Sequence, residues 1–376
     1  MSAEPLGYWR EGDEPGHRQF VTLRGEGDRG FRFEGGGSLA NVTVAYETWG
    51  TLNATGSNAV LVEHALTGDS HVTGASGPGH LTKGWWGGIV GPGLAIDTDE
   101  YYVVCPNVLG GAQGTTGPSS LDGSGRHYGS RFPTITIRDQ VDVEVALADH
   151  LGVRQWHAIV GGSMGGMRVL EWAVGLPSRL ARAVVLAVGA ASTADEIALS
   201  SLQIRAIRLD PLYRGGDYYG TGSGPFDGMA LARGIGHFTY RTSDEFDVRF
   251  GRLDQQGEQP LRGGRYAVES YLQYHGDKLV RRFDPNSYVV LSEAMNHHDV
   301  GRGRGGIKQA LGAITSSVTV ISIASDRLYP PRLQEELVDL IPQARPLATV
   351  TSSVGHDGFL LESEQIGLVI GKALRE

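Results

Sequence analysis

Apolar and polar positions follow two rhythms along this chain. Val42, Val44, Tyr46 and Thr48 alternate with Thr43, Ala45 and Glu47, which predicts a strand with one face more exposed. Asn58–Glu63 (NAVLVE) and Tyr101–Cys105 (YYVVC, closed by Pro106) are continuous apolar runs. Such runs suit strands covered on both faces of a parallel sheet. Arg138–Leu151 then sets Val141, Val145, Ala148 and Leu151 on one helical face, and Gly152 ends it. Trp156–Val160 predicts the next strand, Met164–Val174 the next helix and Ala183–Val188 a further strand. Strand and helix in succession predict an α/β fold on a mostly parallel central sheet. The first 40 residues are polar and glycine-rich, with no strong period.

From about Ser192 the rhythm changes. Through Tyr288 the chain reads as helical and polar, with loops around Gly215–Gly228 and Gln255–Gly264 and no continuous β run. Alternation returns with Val318–Ala324 (VTVISIA), a helix at Arg332–Leu340, a strand near Leu347–Thr351 and a last helix at Glu362–Leu374. The expected organisation is one sheet in two parts, residues 1–191 and 297–376, interrupted by a helical insertion over 192–296. No repeat of solenoid period and no low-complexity tract is visible.

Composition narrows this picture. The chain has 376 residues, enough for a sizeable core, with 40% apolar and 20% charged residues, which is globular rather than disordered. Lys and Arg number 33 against 42 Asp and Glu, a net charge of −9. An acidic chain is a poor general binder of nucleic acid or anionic membrane, although a local basic pocket for an anionic substrate remains compatible. One cysteine, Cys105, allows neither an internal disulfide nor a cysteine-based zinc site. The opening MSAEPLGYWREGDEPGHRQF lacks the apolar core of a signal peptide, and no apolar run approaches the length of a membrane span. The expectation is a soluble cytoplasmic protein. Glycine, at 56 residues, is about twice the usual ~7%, which points to many tight turns.

The sharpest chemical signal is Gly161-Gly162-Ser163-Met164-Gly165-Gly166, which contains G-x-S-x-G between an expected strand and an expected helix. A nucleophile on a strand-to-helix turn has strained backbone angles and needs small residues two positions to either side. That places Ser163 as nucleophile and the Met164 N–H as an oxyanion donor. A serine needs a base and the base an orienting acid, in this fold in the order Ser, Asp or Glu, His. Asp326 follows the strand VTVISIAS, and His356 lies in Gly355-His356-Asp357-Gly358 before the last helix. His297 and His298 precede Asp326 and break the order; with Asp299 they form a poor metal set, because adjacent side chains diverge. The second oxyanion N–H is sought after NAVLVE, in His64-Ala65-Leu66-Thr67-Gly68-Asp69, with Leu66 the candidate and an ordinary turn the alternative. Gly301–Gly306 (GRGRGG) matches G-x-G-x-x-G with Asp326 downstream, but the run SYVVL ends ten residues before Gly301. The tight strand-to-glycine turn of a dinucleotide site is therefore missing.

GGSMGGM with its following EWA, HALTGDSH, NVLGGAQGTTGPSS, GRYAVESYL, HDVGRGRGG, SDRLYP and GHDGF together resemble the homoserine O-acetyltransferases, from about Val42 to the C-terminus. The resemblance implies an α/β-hydrolase core with an inserted helical lid, a homodimer, and transfer of acetyl from acetyl-CoA to L-homoserine in methionine biosynthesis. It implies no permanently bound cofactor and no metal. It implies the triad Ser163, Asp326 and His356, with Arg233 (in LARGIGHFTYR) and Asp357 binding the acceptor. Arg168 stands where that motif often has Gln, and Ala112 where Cys is common before Gln-Gly. Relatives on this scaffold use succinyl-CoA or serine. An esterase-type hydrolase on the same triad, or a non-catalytic binding module, are the other classes compatible with the residues.

Overall fold

The computed structural model describes residues 7–25 and 30–376. Its frame is an eight-stranded sheet: β1 (Gln19–Arg24), β2 (Asn41–Trp49), β3 (Ala59–Glu63), β4 (Tyr102–Pro106), β5 (Ala158–Gly162), β6 (Arg182–Leu186), β7 (Ser317–Ile323) and β8 (Ala348–Val350). The spatial order is β1-β2-β4-β3-β5-β6-β7-β8. β1 runs antiparallel to β2 and β2 to β4, while every later pairing is parallel.

The continuous apolar runs are explained by helices on both faces. Leu61 of β3 faces one apolar cluster, with α1 (Ile137–His150), α2 (Met164–Gly175) and α9 (Pro331–Leu340). Val60 and Val62 face the other, with Ile366 and Ile370 of α11 (Ser363–Arg375). α1 starts where expected because Thr136 and Asp139 form a reciprocal capping box.

Between β6 and β7 lie α3 (Ala194–Leu209), α4 (Phe226–Tyr240), α5 (Ser243–Arg249), α6 (Ala267–Val280) and α7 (Pro285–Asn296). The C-terminal end of α4 packs on the loop carrying His356. There Gly355 adopts φ +70°, and a Cβ would lie 2.6 Å from the Tyr240 carbonyl oxygen, so glycine is required. The short α8 (Ile307–Gly312) precedes β7, and α10 (Gly358–Leu361) precedes α11. Among the described residues, no helix is long and apolar enough to cross a membrane.

Two expectations need correction. The first 40 residues, of which 1–6 lie outside the described residues along with 26–29, contain β1 and a short pair, Phe31–Arg32 with Ser38–Leu39. β1 is an edge strand with mostly exposed side chains, so it leaves little apolar period to read. β2 has no exposed face: Ala45 and Glu47 are as buried as Val44 and Tyr46. Polarity at Glu47 reflects a buried ionic cluster rather than solvent.

Candidate active site

The carboxyl ends of the parallel strands converge, and loops leaving β3, β5, β7 and β8 meet there. Ser163 joins β5 to α2 with φ 56° and ψ −127°, backbone angles strained for a side chain larger than glycine. Its neighbours must be small. A Cβ on Gly161 would lie 2.6 Å from the backbone of Gly165, and one on Gly165 would lie 2.1 Å from the Glu63 carbonyl oxygen. Met164 opens α2, so its N–H is one of the unpaired donors at a helix start.

Asp326, His356 and Ser163 form one chain of contacts. His356 Nδ1 lies 2.7 Å from Asp326 Oδ2, and His356 Nε2 lies 2.9 Å from Ser163 Oγ. The other Asp326 oxygen accepts the backbone N–H groups of Leu328 and Tyr329, at 2.8 and 2.9 Å. Asp326 is 3% exposed and His356 4%, so the chain is shielded from water. Burial alone would lower the His356 pKa. The charge of Asp326 and its hydrogen bond outweigh that, and the imidazole sits above its ordinary value. Tyr329 and Phe359 rings pack about the imidazole with centroids 5.1 Å away.

Leu66 lies in the turn after β3. Among the described residues its N–H makes no backbone hydrogen bond, while Gly68 N–H closes the turn onto the Ala65 carbonyl at 2.9 Å. Leu66 also lines a small cavity of about 40 Å³ with Tyr240, Tyr329 and Glu196.

Beneath Ser163 lies an ionic network that motif reading missed. Arg168 of α2 is fully buried. It lies 2.6 Å from Glu63 Oε2, at ion-pair distance but without hydrogen-bond geometry. It donates to Glu144 Oε1 at 2.7 Å and to the His64 carbonyl at 2.5 Å. Trp172 Nε1 donates to the other Glu144 oxygen at 3.0 Å. Burial pushes the Glu63 carboxyl well above the usual range, with Glu144 adding to it and Arg168 opposing. The sequence signal was present: Glu63 ends an otherwise apolar strand, and Arg168 sits within an apolar helix start.

Arg233 and Asp357 are placed differently from each other. Arg233, on α4, is half-buried with its guanidinium 5.4 Å from the Tyr240 ring centroid, and it joins no ion pair among the described residues. It lines a cleft of about 680 Å³ with Ala65, Thr67, Lys83, Lys278 and Arg282. Asp357 already has a cationic neighbour: Arg241 Nε lies 3.0 Å from its Oδ2. Arg282 is buried enough to pull its pKa down to about 10, and it donates to the Thr67 carbonyl at 2.7 Å.

The remaining candidates fall away on geometry. His298 is buried and 3.1 Å from the Gly189 carbonyl, while His297 is exposed, so the pair diverges. Gly301–Gly306 is a turn ahead of α8, and Asp326 is engaged by His356. One cluster absent from motif reading is Glu47, His71 and His80, whose potential ligand atoms all lie within 4.8 Å of one another. Three of its four imidazole nitrogens are committed to hydrogen bonds, while His80 Nδ1 is buried with no partner among the described residues. His71 donates from Nδ1 to Glu47 at 3.0 Å and from Nε2 to the Ala75 carbonyl at 3.1 Å, while His80 Nε2 accepts the His17 N–H at 3.0 Å. The set is a buried ion pair with a stacked neutral histidine, and it tethers the segment after the Leu66 turn through Ser70, which donates to Glu47 at 2.8 Å.

A profile of the alpha/beta hydrolase fold matches residues 58–363. A homoserine O-acetyltransferase of Thermobifida fusca (strain YX) is 57% identical over 371 residues, which is 98% of this chain and 97% of that one. Among solved structures, a homoserine O-acetyltransferase from Bacillus anthracis superposes with TM-score 0.86 at 26% identity, over 96% of this chain and 97% of that one. Esterase E22 superposes with TM-score 0.85 at 27% identity, over 95% of this chain and all of the other.

Proposed function

The chain belongs to the homoserine O-acetyltransferases of the alpha/beta hydrolase fold, and we propose that it moves the acetyl group of acetyl-CoA to the hydroxyl of L-homoserine. The observation that carries this reading is the Ser163–His356–Asp326 chain, at 2.9 and 2.7 Å, in a sequence 57% identical to a relative over 97% of that relative's length.

His356 Nε2 takes the proton of Ser163 Oγ as that oxygen attacks the thioester carbonyl. The N–H groups of Met164 and Leu66 hold the oxyanion. As the carbon–sulfur bond breaks, the imidazolium gives its proton to the leaving sulfur, and acetyl-Ser163 remains. Homoserine then enters, His356 takes the proton of its hydroxyl, and the alkoxide attacks the acetyl carbonyl. Ser163 leaves with the proton from His356, and O-acetylhomoserine departs. Asp326 stays ionised throughout and holds the imidazole in its productive tautomer.

Homoserine is a zwitterion, so its selection needs a cation and an anion. Arg233, without an ion-pair partner among the described residues, offers its guanidinium fork to the carboxylate. Asp357 takes the ammonium, which then competes with Arg241. The cationic side chains along the cleft suit the phosphates of a CoA ester, and its volume suits an extended arm. We read 192–296 as a lid over this cleft, in a cytoplasmic homodimer. Leu202 and Leu209 on α3, and Leu231 and Phe238 on α4, are exposed apolar residues seven apart, a spacing that suits a helical dimer face.

The test is a product assay with acetyl-CoA or succinyl-CoA against L-homoserine or L-serine, with intact mass after the donor alone. A gain of one acetyl group at Ser163 and formation of O-acetylhomoserine are expected. Ser163→Ala should lower turnover by about 10³-fold or more. A near-normal rate in that variant would end the reading.

A further inference from the structure

We propose that His64 is a positioning residue that aims the Leu66 N–H at the oxyanion; the proposal rests on the acyl-serine reading above. His64 follows β3 directly and is 2% exposed. Its Nε2 lies 3.1 Å from the Val108 backbone N, which carries the proton of that contact. Nε2 must therefore be the acceptor, and in the neutral ring the proton sits on Nδ1. Nδ1 lies 2.8 Å from the Ala65 carbonyl oxygen and donates to it.

That carbonyl belongs to the same peptide unit as the Leu66 N–H. A trans peptide is planar, with its C=O and N–H pointing in opposite directions. Whatever fixes the Ala65 oxygen therefore fixes the direction of the Leu66 hydrogen. Two donors fix it, His64 Nδ1 and the Gly68 N–H, the latter at 2.9 Å. Neighbouring carbonyls are held as well: His64's by Arg168 at 2.5 Å and Thr67's by Arg282 at 2.7 Å. Gly68 must be glycine for this packing, since a Cβ there would lie 2.9 Å from His64 Cβ. Among backbone groups of the described residues the Leu66 N–H finds no acceptor, which is what an oxyanion donor requires before substrate arrives. Burial and the Arg168 charge pull the His64 pKa down to about 3, so the ring keeps this neutral form through the working range. Arg168 from the core and Arg282 from the segment between α6 and α7 thus brace the turn, and His64 sets its orientation.

Two substitutions separate orientation from packing. His64→Asn puts an amide donor near the place of Nδ1; His64→Gln reaches the place of Nε2 and keeps an acceptor for Val108. Single-turnover acetylation of Ser163 by acetyl-CoA, followed by intact mass, is the readout. His64→Gln should acetylate about 10–100-fold more slowly with unchanged half-saturation by acetyl-CoA, and His64→Asn less than about tenfold more slowly. Equal losses in both variants, tracking a fall in thermal midpoint, would reduce His64 to packing and overturn the proposal. So would a rise in half-saturation alone, or wild-type rates in both. A wild-type protein that never acetylates would instead remove the acyl-serine reading and this proposal with it. The tautomer gives an arm that needs no variant: imidazole ¹⁵N spectra should show His64 protonated at Nδ1 and bare at Nε2. The opposite tautomer would overturn the proposal.

Discussion

The proposed triad and the groups proposed to bind the acceptor are built in contrasting ways. Ser163, Asp326 and His356 stand beyond the ends of β5, β7 and β8, strands of one hydrogen-bonded sheet, and His356 touches both of the others. Arg233 stands on α4 of the insertion, touches none of the three at hydrogen-bond distance among the described residues, and leans on Tyr240. Asp357 follows His356 directly, yet its nearest cation, Arg241, comes from just beyond α4. On the proposed reading, acyl transfer to the enzyme is pre-assembled at the sheet, whereas acceptor recognition depends on where the helices between β6 and β7 rest. Damage to the first should abolish turnover; damage to the second should redirect it.

The largest expected loss is in the sheet-borne set. Asp326→Asn keeps the shape but loses the charge that steadies the imidazolium, and its amide favours the wrong tautomer. Turnover should fall by about 10⁴-fold with little change in thermal midpoint. Turnover left intact would break the contrast at its stronger side.

Next comes the network beneath Ser163. Arg168→Met leaves buried carboxyls without their cation and the His64 carbonyl without its donor, and should cost about 3–5 kcal/mol of stability in a denaturant titration. Arg168→Gln, which can still donate to that carbonyl, should cost visibly less. Equal costs would mean that charge alone matters here.

Arg233→Ala tests the other side of the comparison. It should still form acetyl-Ser163, yet lose about 1.5–3 kcal/mol of acceptor binding, and free acetate should become a larger share of product. Lys would restore charge but not the fork. The ratio of O-acetylhomoserine to acetate reads this directly, and it also separates transferase from the esterase chemistry named for one structural neighbour. Loss of acylation with an unchanged acceptor constant would place Arg233 on the CoA side.

The same contrast explains what the sequence disclosed. Strands buried on two faces and a serine between them are local patterns, so β3, β5 and the elbow could be read with boundaries good to a residue or two. Asp326 and His356 followed from order along the chain. The Glu47–His71 pair, the Arg168 network and the His64 contact to Ala65 were not legible in that way. Glu63 and Arg168 stand out as charges in apolar segments, but each of these sets joins residues of separate segments and gains meaning only when β2, β3, α1 and α2 are side by side. Glu47 shows the cost: period-two alternation put it in a strand read as having one more exposed face, when it is a buried carboxylate held by His71 and Ser70.

The smallest expected effect lies at the seam between the two regions. Glu196 in the first turn of α3 accepts the Thr193 N–H at 3.2 Å, while its Oε1 is buried with no partner among the described residues, beside the cavity shared with Leu66 and Tyr329. Burial raises its pKa from 4.5 to about 7, opposed by its hydrogen bonds to Thr193. The folded state therefore holds a proton that the unfolded chain releases earlier. Stability from this group is fully present below the unfolded value and is lost as pH rises through the folded one. Glu196→Gln keeps an acceptor for Thr193 and cannot ionise. Its thermal midpoint should overtake that of the wild type by a few degrees between about pH 5 and 8. Parallel curves for the two proteins would mean that Glu196 is ionised and solvated in the folded state, and the junction between sheet and helices would then be wetter than its packing implies.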